Sequence, residues 1–133
     1  PPPVESSTGG LQIWHFSQQD EQLVEQALSS LSFTLIPKQS PQEPVENTNA
    51  IFFGEKVKDR DLRVVATQLI QAGIPIQVII PVKRDSPNRD KALIQIGAER
   101  CNPIKDWPVW TVERINTTTE FNRTEFDSLG CSS

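Results

Sequence analysis

Two segments of this chain repeat one apolar spacing, and short runs of β-forming residues bracket each of them. In VEQALSSLSF, Val24, Leu28, Leu31 and Phe33 stand where Val65, Leu69, Ala72 and Ile74 stand in VATQLIQAGI, at a constant offset of 41 residues. Apolar residues three and four apart line one side of a helix. The first stripe, Leu23, Val24, Ala27, Leu28 and Leu31, lies between LQIWHF (11–16) and FTLIP (33–37). The second, Leu62, Val65, Ala66, Leu69 and Ile70, lies between NAIFF (49–53) and IQVIIP (76–81). Each stripe must be buried on another layer, so the pattern predicts an α/β fold: a two-layer sandwich built on two β-α-β units. The likeness is confined to packing positions, as expected of two units that solve one packing problem.

Punctuation supports this division. Ser17 suits a helix N-cap, Pro37 ends a strand, and Gly73 falls where a left-handed C-cap is expected. Residues 38–48, KQSPQEPVENT, carry two prolines among polar side chains and predict an irregular connection. After Pro81 the turn-rich VKRDSPNRDK leads into ALIQIGA, which predicts an added C-terminal β-hairpin over 76–97 with a basic tip and a fifth strand. WPVWTVERI, 107–115, predicts an edge strand with Pro108 tolerated at its start. The domain organisation that follows is a flexible linker over 1–10, one domain over 11–115, and a polar tail over 116–133 whose Phe121, Phe126 and Leu129 are free to dock.

A chain of 133 residues can bury a core without disulfides or a metal. Its 36% hydrophobic and 23% charged content is that of ordinary globular domains. No apolar run is long enough for a membrane span and no signal pattern opens the chain, so no membrane association is expected. The absence of methionine, even at position 1, together with PPPVESSTGG at the start, predicts one domain of a longer protein, its C-terminal one. Cys101 and Cys131 allow at most one disulfide, which favours a reducing cytoplasm. The sequons at Asn116 and Asn122 would matter only in a secretory compartment. The net charge of -4 is uneven: residues 1–57 carry -5, 58–114 carry +3 and 115–133 carry -2. That basic middle is too weak for a nucleic-acid footprint, and none is expected.

Few residues point to chemistry. Phe53-Gly54-Glu55-Lys56 runs from a strand into a helix, as phosphate loops do, but such loops need closely spaced glycines, and Glu55, Asp59 and Asp61 oppose an anion while complementing the helix dipole. A plain strand-to-helix corner is the stronger reading. His15 is the only histidine, and no CxxC, HxxxH or HExxH spacing accompanies it. A dyad with Cys101, whose thiol Arg100 could activate, is outweighed by a structural role for His15. G-x-S-x-G is absent, and Glu21 and Glu25, four apart, read as a solvated and mildly repulsive pair. The expectation is therefore no enzyme, no cofactor and no metal. Lys83, Arg84, Arg89 and Lys91 are candidates for partner contact, although Asp85 and Asp90 compensate them. Trp107 and Trp110 are candidates too, set against a core-covering role.

The element order and the phrase NAIFFG…LRVVATQLIQAGIPIQVIIP resemble small α/β modules of the SPOR and LytR C-terminal type over residues 11–81. That resemblance implies a ferredoxin-like or SPOR-like sandwich and, for SPOR domains, an extracytoplasmic role binding the glycan strands of peptidoglycan. TNAIFFG, LIQAGIPI and LIQIGA are similar to segments of C-terminal modules in cyanobacterial multidomain proteins, some of them regulators of heterocyst pattern formation that partner a caspase-like protease. This implies a protein partner. Together these observations predict a non-enzymatic protein-interaction module of a larger regulatory protein. The alternatives are a SPOR-like glycan binder and a small enzyme or nucleotide-binding domain.

Overall fold

The computed structural model describes residues 11–16, 20–38, 48–82, 86–97 and 108–118. In chain order these form β1 (Gln12–Phe16), α1 (Glu21–Leu28), β2 (Thr34–Lys38), β3 (Ala50–Phe53), α2 (Asp59–Gln71), β4 (Val78–Pro81), β5 (Leu93–Gly97) and α3 (Val112–Thr117). The strands make one mixed sheet in the order β2-β1-β5-β3-β4. β1 runs parallel to β2 and to β5, β3 runs parallel to β4, and β3 meets β5 antiparallel.

Both β-α-β units are present, and each pair of parallel strands is adjacent. This departs from the split arrangement of a ferredoxin-like sheet, in which another strand stands between the parallel pair. The expected hairpin over 76–97 is not formed: β4 is an edge strand and β5 is inserted between β1 and β3. The reason is burial. β5 carries Ile94 and Ile96 on the helix side and Leu93 on the other, all buried, which suits a central strand better than the outer arm of a hairpin.

The sheet order and strand directions give the two units a pseudo-twofold axis along the sheet normal through β5. Ile13 and His15 of β1 oppose Ile94 and Ile96, while Phe53 and Ile51 of β3 oppose the same two residues in reverse. The axis therefore exchanges Ile13 with Ile51 and His15 with Phe53. The helical stripes match as the sequence predicts, with Val24, Leu28, Val65 and Leu69 all buried. They pack with Ile13, Ile51, Phe53, Ile79, Ile94 and Ile96 into a single core. Leu23 departs from its expected stripe and is exposed, because the covered arc of α1 is narrow and centres on Val24 and Leu28.

α2 ends as its glycine predicts. Gly73 has φ 95°, its N–H donates to the Ile70 carbonyl, and the N–H of Ile74 donates to that of Leu69. This is a Schellman motif, and buried Leu69 and Ile74 supply its apolar contact. α1 begins at Glu21 with Asp20 at the N-cap position; Ser17 lies outside the described residues. The Asp20 carboxylate accepts no hydrogen bond from its own helix and instead holds the backbone N–H and hydroxyl of buried Thr48, at 2.9–3.1 Å. That contact ties the entry of β3 to the start of α1.

The edge strand expected over 107–115 is absent from its described part, residues 108–115. Thr111 caps a helix, its hydroxyl accepting from the Arg114 N–H at 3.1 Å, and Ile115 turns into the core. α3 runs to Thr117, past the expected domain end at 115. It is fastened to α2 by Arg63, whose guanidinium donates to the carbonyls of Ile115 and Thr118. Among the described residues no helix is long and apolar enough to cross a membrane.

Candidate functional site

Two features stand out: the sheet face on which none of the described helices lies, and the carboxyl end of β1. The buried residues of all three helices join the core on one face of the sheet. The other face carries Trp14 and Phe16 from β1, Ile36 from β2 and Phe52 from β3, all half-buried. Trp14 stands beside Ile36 and Gln95 in the pairing register, its indole N–H donates to Gln12 Oε1 at 3.1 Å, and the Lys38 ammonium lies 4.1 Å from its ring centroid. On the same face Ala50, Val78, Ile80 and Leu93 are buried yet stand outside the helix-side core. β2 borders this face as an edge strand, with no further strand beside it among the described residues.

At the carboxyl end of β1 the His15 side chain points to the helix side and is 3% exposed. Its Nδ1 is 3.6 Å from Glu21 Oε2 and its Nε2 is 3.8 Å from Glu25 Oε2. These separations exceed hydrogen-bond length, and Nδ1 is buried without a hydrogen-bond partner. Glu21 and Glu25 are one helical turn apart, so both carboxylates reach the same imidazole. Glu25 is exposed as expected, at 50%, whereas Glu21 is half-buried, at 31%. Their orientation toward His15 is what the sequence reading lacks. A buried strand-end histidine followed by two carboxylates spaced i, i+4 in the next helix is the signal that could have revealed it.

The Gly54 corner holds no anion cradle. The N–H groups of Gly54, Glu55 and Val57 donate to the carbonyls of Leu93, Arg89 and Gly54, so these three donors are already used within the fold. Gly54 is required instead by close approach: a Cβ there would fall within 2.9 Å of the Asn88 carbonyl oxygen and closer still to that of Lys91. Burial raises the Asp61 carboxyl above its ordinary range, against the opposing pull of Arg60 and Lys58.

Of the expected contact residues, Arg89 is half-buried and donates to Glu55 Oε2 and, at 2.8 Å, to the Val82 carbonyl, which locks the 86–91 turn onto the 54–57 corner. Lys91 is exposed beside it. Trp110 is 6% exposed, belongs to the core, and carries the Arg114 guanidinium 3.9 Å from its ring centroid, so its main duty is core covering. Lys83, Arg84, Trp107, Phe121, Phe126 and both cysteines lie outside the described residues, as do the linker and residues 119–133. The fold and these sites define a mixed α/β two-layer domain. Compared with models of protein families, with curated proteins and with solved structures, the chain gives no match.

Proposed function

We propose that this domain is a non-enzymatic protein-interaction module that binds an extended apolar segment of a partner along β2 and the adjoining sheet surface of Trp14, Phe16 and Ile36. The observation that carries this reading is the half-buried set of Trp14, Phe16 and Ile36 beside an edge strand. An added strand would satisfy the outer backbone groups of β2 and lay alternate side chains against that aromatic surface. Pro37 and Lys38 at the end of β2 limit the pairing register, so the partner is held over Thr34–Ile36. The sequence likeness to cyanobacterial regulatory modules makes a caspase-like protease the first partner to try.

The test is capture from native lysate with the chain as bait, beside Ile36→Glu and Thr34→Pro variants whose folding is checked by circular dichroism. One protein retained in near-stoichiometric amount by the wild type and lost by both folded variants supports the reading. Capture that survives both substitutions overturns it. Trp14 also favours a second reading, because a half-buried indole on a sheet can stack on a sugar ring. Retention of isolated peptidoglycan by the wild type but not by Trp14→Ala, with no protein captured, would replace the first reading with the second.

A further inference from the structure

We propose that His15, Glu21 and Glu25 form a binding site for a first-row divalent transition ion such as Zn²⁺, with one imidazole nitrogen and two carboxylate oxygens as ligands. The three donor atoms lie within 4.8 Å of one another. His15 Nδ1 and Glu21 Oε2 are 3.6 Å apart, too long for a hydrogen bond. Two ligands with bonds of about 2.1 Å to a tetrahedral ion are themselves separated by about 3.4 Å, so the gap is close to the size an ion requires. Glu25 Oε2 lies 3.8 Å from the other ring nitrogen, Nε2, on an exposed side chain whose rotation toward Nδ1 completes the ligand set.

A second observation is independent of those distances. His15 is buried with Nδ1 unpartnered, an arrangement that folded proteins rarely leave uncompensated. The pseudo-twofold axis shows that the fold does not demand these polar groups. Across it His15 corresponds to Phe53, and the 41-residue helical offset places Glu21 and Glu25 opposite Leu62 and Ala66. In the second unit all three positions are buried and apolar. One imidazole and two carboxylates have thus taken the places of Phe, Leu and Ala in otherwise equivalent units. Mixed nitrogen and oxygen donors suit Zn²⁺, Fe²⁺ or Co²⁺ better than Mg²⁺ or Ca²⁺. Three protein ligands leave a coordination position open to water or to a side chain supplied by a partner.

His15 is the only histidine, so its ring resonances need no assignment by mutation. The experiment is a Zn²⁺ titration of the untagged full chain, carrying Cys101→Ser and Cys131→Ser, followed by histidine-ring nitrogen NMR and by thermal melting. The expected result is saturation at one ion per chain, a coordination shift at one ring nitrogen, and a rise in Tm. At free Zn²⁺ of 100 times Kd the folding equilibrium should gain about 100-fold. Glu21→Gln and Glu25→Gln, both at half-exposed positions, should weaken binding at least tenfold each while leaving the metal-free Tm nearly unchanged. Substitution of Co²⁺ should add a visible absorption band that both variants lose. Ring signals that ignore millimolar Zn²⁺, or a Tm rise that survives both glutamate substitutions, would overturn the proposal. In that case the cluster is a structural contact of one imidazole with two carboxylates and nothing more.

Discussion

Replacing Gly54 by alanine tests whether the 53–57 corner is a structural joint. A Cβ at this position meets two backbone carbonyls, those of Lys91 and Asn88, and neither can swing away as a side chain would. Overfilling a tight site costs roughly 1–3 kcal/mol. Moving the 88–91 turn aside also weakens the hydrogen bonds from Gly54 N–H to Leu93 and from Glu55 N–H to Arg89, at 2.9 and 2.7 Å. Each contributes about 1 kcal/mol net. Loss of glycine's freedom in the unfolded chain offsets up to ~1 kcal/mol of this. The expected loss is about 2–4 kcal/mol, a large fraction of a total stability of order 5–15 kcal/mol. Urea denaturation followed by tryptophan fluorescence would show it as a midpoint lowered by about 1–2 M, taking a slope near 2 kcal/mol/M. Gly73→Ala is the contrasting case, with nothing within 4 Å of its Cβ but a φ of 95°. It should lose only the roughly 1–2 kcal/mol of left-handed strain. A Gly54→Ala protein within ~0.5 kcal/mol of wild type, an effect no larger than a neutral surface change, would refute the close-approach reasoning.

Three further perturbations follow from particular contacts. Trp110→Ala should cost about 3–5 kcal/mol in chemical denaturation, as expected for a core aromatic, and Trp110→Phe should recover most of it. Arg63→Gln removes both guanidinium bonds to the carbonyls of Ile115 and Thr118, so amides of 112–117 should exchange faster while those of β5 are unchanged; equal protection would show that α3 does not depend on Arg63. Asp61→Asn should stabilise the domain at neutral pH. Burial raises the folded carboxyl above its unfolded value, so the folded state holds the proton more tightly, and stability falls as pH rises through that raised range. The gap between variant and wild type should close in acid, and a gap that widens there would contradict the sign.

The elements that sequence pattern reached were those whose signal is local. Val24, Leu28, Val65 and Leu69 declare two helices through spacing alone, and Gly73 marks the end of the second because no other residue adopts its φ without strain. The failures share one physical origin. Residues 107–115 carry Trp, Val and Ile, which suit a strand, yet the Thr111 cap and the tertiary grip of Arg63 on the last carbonyls select a helix. Leu93–Gly97 follows β4 closely enough to suggest a hairpin, but strand partners are chosen by which faces can be buried, and adjacency in sequence does not encode that choice. The Glu21–Glu25 pair looked solvated because a helix surface is read one residue at a time, while its relation to His15 depends on how α1 packs against β1.

By itself the sequence determined the α/β class, the two β-α-β units with their register, and the character of the Gly54 corner. Each follows from periodicity or from backbone conformations that few residues tolerate. Only the tertiary structure decided the strand order, the central place of β5, the opposed orientation of the two units and the meeting of His15 with Glu21 and Glu25. Those features depend on contacts between residues distant along the chain, whose free energy is realised only when both apolar faces find cover at once.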